Sequence, residues 1–313
     1  RTPGGSSGGS GAALAAGLCL GSLGTDTGGS IRIPASLSGV VGFKPTYGRV
    51  STRGVIPLSW NLDHAGPMAR GVRDVALLLQ VIAGYDPEDP YSADMPVEDY
   101  VGGLEGGVRG WRVALASDAF FQRADDEVLA AVSEAGKVFS ALGAQVSEVE
   151  IPDGRTAAMA NGLMTTSDAA AFHQERLETQ PQGFGDDVLQ RLQTGAGFTS
   201  SEYILARRAQ TTLRHQFERF FKEYDVLLTA TTPIPAPLLE GPDAVEQARK
   251  LTRFTAPFNL TGLPALSLPC GFTRDGLPVG LQIVSASWAE TRVLQAGYAY
   301  ERDTDWHLRT PAL

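Results

Sequence analysis

An α/β fold around a largely parallel or mixed β-sheet is what this sequence predicts. Three observations carry the prediction. Trp111 to Ser117, Asp125 to Leu142 and Gln145 to Ile151 read in turn as strand, amphipathic helix and strand. Asp225 to Thr232, Leu263 to Pro269 and Val279 to Val284 are near-continuous apolar runs, the pattern of strands buried on both faces. No internal repeat, low-complexity tract or long linker divides the chain, so residues 1–313 are expected to form one domain.

Element by element, the tract Thr2 to Gly11 is almost all Gly and Ser and runs directly into Ala12, Ala13, Leu14, Ala15 and Ala16. It therefore leads into a helix, with Ser10 placed to cap it. Gly17 to Asp26 reads as a short buried strand, Ser30 to Leu37 as a short helix after a Gly-Gly turn, and Val40 to Pro45 as another strand. VRDVALLLQVIA, from Val72 to Ala83, is a helix that Gly84 ends. Gly102 to Gly110 reads as a surface loop. In the helix from Asp125, the residues Val128, Val132, Ala135, Val138 and Leu142 recur at three- and four-residue spacing, and Asp125, Asp126 and Glu127 fill the first turn, where the helix dipole favours anions. A helical section follows from about Thr166 to Tyr224. Ser287-Trp-Ala-Glu290 has the spacing of a capping box that opens a last helix running to about Glu301.

Composition narrows the function. With 26 Lys and Arg against 35 Asp and Glu, the net charge of −9 and the lack of a basic run argue against direct nucleic-acid binding. No apolar run approaches the ~20 residues that cross a bilayer, so no membrane association is expected. Cys19 and Cys270 each lie in small, apolar surroundings, which predicts buried free thiols and suits a reducing cytoplasm. His173, His215 and His307 are scattered, and neither HxxxH nor CxxC spacing occurs, so neither a metal nor any other cofactor is implied.

The chemistry points to two Gly/Ser clusters, Gly4-Gly5-Ser6-Ser7-Gly8-Gly9-Ser10 and Gly24-Thr25-Asp26-Thr27-Gly28-Gly29-Ser30. A serine at a glycine turn before a helix is surrounded by backbone N–H groups with no side chain in the way. The amides of residues 27 to 30 are candidates for an oxyanion hole, each donor contributing roughly 3–4 kcal/mol; an ordinary glycine turn is the alternative. Ser7 completes a G-x-S-x-G string that mimics the nucleophile elbow of another hydrolase fold, but no strand precedes it.

GGSSGGS, then GTDTGGSIRIPA with its serine 24 residues after Ser6, then GVVGFKPTYGRVS, resemble the amidase signature family. The likeness continues through LDHAGPMARGVRDVALLLQVIAG, GFGDDVLQRL, NLTGLPALSLPCGF and GLPVGLQIV, and so covers nearly the whole chain. The resemblance implies the amidase signature fold, a central mixed β-sheet flanked by α-helices (α/β/α), and a serine, cis-serine, lysine triad that hydrolyses carboxamides through an acyl-serine. Ser30 corresponds to the nucleophile, and Ser6 to the serine that follows a cis peptide and relays the proton. Thr27, Gly28, Gly29 and Ser30 correspond to the oxyanion-hole segment. Asp26, Arg32 and Ser7 are expected to support these loops through hydrogen bonds.

One element of that pattern has no counterpart here. The family's lysine lies upstream of GGSSGG, and the expectation is therefore a domain that lacks the N-terminal portion carrying it. Lys44 sits in the FKPT strand, and Lys137, Lys222 and Lys250 lie on or beside exposed helices. His64 either lines the site or is structural. Tyr203, Phe184, Met164 and Trp60 fit either pocket or core. The resemblance implies a small-molecule amide as substrate, with three readings: a free-standing amidase, dimeric as family members often are; the ammonia-supplying component of a glutamyl-tRNA(Gln) amidotransferase, which works with partner subunits; or a non-catalytic scaffold of the same fold.

Overall fold

The computed structural model describes residues 1–240 and 244–311. Eight strands form one sheet in the order β1-β3-β2-β7-β8-β6-β4-β5. They are β1 (Gly21–Asp26), β2 (Val41–Lys44), β3 (His64–Ala69), β4 (Arg112–Ala116), β5 (Gln145–Val149), β6 (Val226–Ala230), β7 (Ala265–Phe272) and β8 (Pro278–Val284). Among the described residues only β4 pairs in parallel, with β5 and β6; the other five pairings are antiparallel. The sheet is therefore mixed, as expected, with its parallel part confined to one end.

The helices are α1 (Gly8–Ala15), α2 (Arg32–Ser38), α3 (Val72–Ile82), α4 (Asp126–Ala141), α5 (Gly154–Phe172), α6 (Gln174–Thr179), α7 (Asp186–Ala196), α8 (Ser200–Glu223), α9 (Ala244–Lys250), α10 (Ala256–Leu260) and α11 (Glu290–Arg302). They flank the sheet on both faces. The short α2, buried over nearly all its length, lies close on one face, where a side chain on Gly42 would meet Ala35 and Ile31 at under 3 Å and one on Gly280 would meet Ser36. On the other face α11 packs over Leu266 through Gly297, and Phe139 of α4 stacks on Tyr300 of α11 at 5.7 Å. β6 is buried along its full length, as its continuous apolar run predicts.

Several expectations need correction. The first strand starts at Gly21 rather than Gly17 and is not buried along its length: β1 lies at the edge of the sheet, and Leu18, Leu20 and Leu23 are exposed. Ser10 does not cap α1: the helix starts at Gly8, and the Ser10 hydroxyl instead meets Leu23 O and Ser22 Oγ, tying the helix to β1. The Ser287 to Glu290 capping box does not form. Glu290 is fully buried, accepts from the Thr46 amide at 2.9 Å and faces Arg49, so its carboxylate serves another segment, and Trp288 takes a left-handed φ of 68°. The 102–110 loop is no mere surface excursion, because Leu104 and Val108 are buried in the core. α5 begins at Gly154, well before the expected start, since its Ala, Gly and Thr content hides any periodicity. Nothing in the sequence pattern predicts β3: Gly66 and Pro67 lie within it, and both residue types argue against a strand. Cys270 is buried and free as expected, whereas Cys19 is free but only half-buried.

Candidate active site

β1 ends at Asp26, and the chain turns through Thr27, Gly28, Gly29 and Ser30 before entering α2. That turn rests on a buried charge. The Asp26 carboxylate accepts from the Ile31 and Arg32 amides (3.2 and 3.4 Å), from Arg32 Nε and NH2 (3.0 and 2.9 Å) and from Asn259 Nδ2 (2.8 Å). Burial alone would raise its pKa, but the charge and hydrogen bonds of Arg32, the charge of Lys44 and the Asn259 bond together hold it well below the usual carboxylate range. Arg32 is fully buried as well, and its remaining N–H groups reach Thr255 O (3.1 Å), Gln282 Oε1 (2.6 Å) and Asn259 Oδ1 (2.6 Å). All five guanidinium N–H groups thus have acceptors. Asp26 and Arg32 hold the turn from beneath, and the Asp26 carboxylate uses up the amides of residues 31 and 32.

What is left is a run of free donors. Among the described residues, no acceptor meets the N–H groups of Thr27, Gly28, Gly29 or Ser30. The carbonyl and side-chain groups of the same turn are anchored instead. Thr27 Oγ1 donates to Asp63 Oδ1 (2.5 Å), Asn161 Nδ2 donates to Thr27 O (3.0 Å), and Thr255 Oγ1 donates to Gly28 O (2.6 Å). Gly29 has φ +136°, and a side chain there would stand 2.2 Å from Thr255 Oγ1, so only glycine fits.

The first Gly/Ser cluster packs against this turn. The Gly5–Ser6 peptide is cis, and Ser7 N donates to Ser30 O at 3.1 Å, which brings the loop carrying Ser6 alongside Ser30. The Ser7 hydroxyl exchanges hydrogen bonds with the Thr25 backbone, accepting from its N–H at 3.2 Å and donating to its carbonyl at 3.4 Å. A Cβ on Gly24 would stand 2.6 Å from Ser7 Oγ. Ser7 is thus a bracket between loop and strand. Ser6 is exposed and Ser30 half-buried, and among the described residues neither hydroxyl is engaged in a hydrogen bond within the protein.

The other sequence candidates separate clearly. His64 is buried on β3 beneath the turn, its Nδ1 2.6 Å from Leu62 O and 3.1 Å from Asp26 O, and burial, aided by the Lys44 cation, keeps the imidazole neutral by pushing its pKa well below the usual value. It supports the turn. Lys44 is fully buried, with Nζ donating to Leu263 O (2.5 Å) and Pro45 O (3.1 Å); Lys137 and Lys250 pair with Glu134 and Glu246 on exposed helix faces. Met164 is core, packed with Leu62, Ala160, Leu213 and Leu260. Tyr203 donates to the buried Asp168 at 2.7 Å and borders a cavity of about 600 Å³ with Phe198 and Leu177, which no residue of the two clusters at 4–10 and 24–30 lines. Trp60 and Phe184 pack edge-on against Phe172 and His173. Among the described residues no cluster of His, Cys, Asp or Glu is disposed to hold a metal, and no helix is long and apolar enough to cross a membrane.

Sequence reasoning missed Asp63, Asn161, Thr255, Asn259 and Gln282. Gln282, alone in the apolar run VGLQIV, and Asn259, at the start of NLTGLPALSLP, carried a signal, since a polar side chain within a buried run needs a partner. Asn161 carried none.

Known proteins resemble the chain along its whole length. The family described as Amidase matches residues 1–294. The A subunit of glutamyl-tRNA(Gln) amidotransferase from Geobacter sp. (strain M21) is 41% identical, and that from Myxococcus xanthus (strain DK1622) 43%, each alignment covering 100% of this chain and 70% of the relative. Among solved structures, the corresponding glutamyl-tRNA(Gln) amidotransferase component of Thermotoga maritima superposes with a TM-score of 0.85 at 35% identity, over 97% of this chain and 67% of the other. A protein from a vestigial complex that reveals the evolutionary origins of an s-triazine catabolic enzyme gives 0.89 at 34% identity, over 97% and 67%. A peptide amidase in complex with the competitive inhibitor chymostatin gives 0.82 at 32% identity, over 99% and 68%.

Proposed function

This chain belongs to the amidase family, and from that membership we propose that it cleaves a small-molecule carboxamide through an ester on Ser30. The observation that carries the proposal is the run of four N–H donors at residues 27 to 30 that find no partner among the described residues, on a turn anchored through Thr27 Oγ1 and the Thr27 and Gly28 carbonyls. Ser30 Oγ attacks the carbonyl carbon, and the developing oxyanion takes hydrogen bonds from that run. The Ser30 proton passes to Ser6 and on to the base. The C–N bond then breaks as Ser6 returns a proton to the nitrogen, and ammonia or an amine departs. Water attacks the acyl ester by the same route, giving a carboxylate and restoring Ser30. A serine needs a base to act near neutral pH. Lys44, a buried lysine, is committed to two carbonyls, so the base is proposed to reach Ser6 from outside residues 1–313.

The curated relatives favour a second reading, in which the chain is the ammonia-releasing component of an amidotransferase and works with partner subunits. Copurification of a stoichiometric partner from the native host separates it from a free-standing enzyme, and a homodimer alone would support the latter. The free thiols of Cys19 and Cys270 support a reducing compartment, the cytoplasm, in either case.

Labelling with a fluorophosphonate, followed by peptide mapping, tests the nucleophile. In protein that hydrolyses amides the adduct is expected on Ser30 and absent from Ser30→Ala. An adduct on Ser7, or amide hydrolysis that survives Ser30→Ala, would overturn the assignment.

A further inference from the structure

Asn161 of α5 lies over the Thr27–Gly28 stretch and is 4% exposed. Its Nδ2 donates to Thr27 O at 3.0 Å. A carbonyl oxygen can only accept, so this contact fixes which end of the amide is nitrogen. The oxygen end, Oδ1, therefore points onward over Gly28, 3.3 Å from the position a Cβ on that glycine would take, with Thr252 Cγ2 across the same space at 3.9 Å. Among the described residues no donor reaches Oδ1, and the atom is not sealed from solvent. An unpaired acceptor thus faces the space above a turn whose own N–H groups are all unpaired donors.

That combination complements a carboxamide that bears hydrogen on nitrogen: its oxygen accepts and its N–H donates. An ester offers lone pairs at the position where such an amide offers N–H. Building on the acyl-serine reading above, we propose that Asn161 Oδ1 accepts the N–H of the scissile amide and so selects amides carrying at least one N–H over the matching esters. The same contact orients the leaving nitrogen, while the Nδ2 contact keeps the donor turn in place. Gly28 preserves the gap through which the contact is made.

The test compares a primary amide, the N-methyl amide and the methyl ester of one acyl group, using the protein as its host produces it, together with Asn161→Leu and Asn161→Asp. Leucine is of similar size and has no acceptor; the amide-to-ester ratio of kcat/KM is expected to fall about 10-fold or more. Aspartate keeps an oxygen acceptor but loses the donor to Thr27 O, so both substrates should slow while their ratio stays near that of the unaltered protein. If both variants slow amide and ester equally, Asn161 only tethers the turn and the proposal fails. Should the leucine variant not fold, the aspartate variant still decides, because a ratio that collapses with the acceptor retained would overturn the proposal. Ser30 labelling runs in parallel: its absence from the unaltered protein sinks the acyl-serine reading itself, whereas labelling with an unmoved ratio sinks only the role of Asn161.

Discussion

The two ends of the sheet are built from different materials. At one end β4, β5 and β6 with α4 enclose Val113, Val132, Phe139, Val226 and Leu227, all buried and apolar. At the other, β1 and β3 with α2 and α10 enclose Asp26, Arg32, His64 and Asn259, also buried, and held by named hydrogen bonds. Apolar packing tolerates substitutions that conserve volume, because contact energy has little directional demand. A network of charges fixes direction as well as distance and leaves a large penalty when one member is lost. The difference teaches that stability can be supplied by either end, whereas the orientation of the 27–30 amides can come only from the polar one.

The sharpest way to break this contrast is Arg32→Leu. Removing the guanidinium strands the buried Asp26 carboxylate and deprives Thr255, Gln282 and Asn259 of a donor, and the expected cost is ~3–5 kcal/mol. Urea unfolding should show that loss, and the folded fraction should take up fluorophosphonate slowly. Normal labelling per folded molecule would mean that the network does not set the geometry of the turn. Phe139→Ala at the apolar end is expected to cost about the same, ~3–5 kcal/mol, by leaving a cavity against Tyr300. Here the labelling rate per folded molecule should not change, and a parallel drop would erase the distinction between the two ends.

A smaller effect tests the joint between them. Both oxygens of Glu301 on α11 accept from Val72 N at the start of α3 (3.1 and 2.9 Å). Burial pushes its pKa up to about 7, assisted by Asp74 and opposed by the Val72 bond. The folded protein then holds a proton that the unfolded chain releases above its ordinary value near 4.5. Stability from this group is complete below about pH 4.5 and is lost as the pH rises from there through about 7, by an amount on the order of 3 kcal/mol. Glu301→Gln should flatten that part of the stability profile. An unchanged slope would assign it to other groups.

The same contrast decided what could be read from the sequence. At the apolar end, the spacing of Val128, Val132, Ala135 and Val138 and the run DVLLTATT fixed α4 and β6 within a residue or two, because burial repeats with the period of the backbone. At the site end, local pattern misled. Gly66 and Pro67 hid β3, and Glu290 mimicked a cap while serving Thr46. Ser6, Ser7, Asp26 and Ser30 were legible as candidates through their motifs. Their supports were not, since Asn161, Thr255 and Gln282 lie 134 to 250 positions from the groups they bind. Hydrogen-bond geometry between such distant residues leaves no periodic trace in either segment.

That separation bears on the order in which a ribosome delivers the parts. Arg32 must wait for Thr255, Asn259 and Gln282, the last of them 250 residues later. At roughly 5–20 residues per second, that interval is ~12–50 s. Until Thr255 emerges the nascent serine turn carries a guanidinium that still lacks three of its acceptors. A chain released before Gln282 would hold both Gly/Ser clusters and yet be unable to secure the turn between them, so truncated translation products should be inert toward amides.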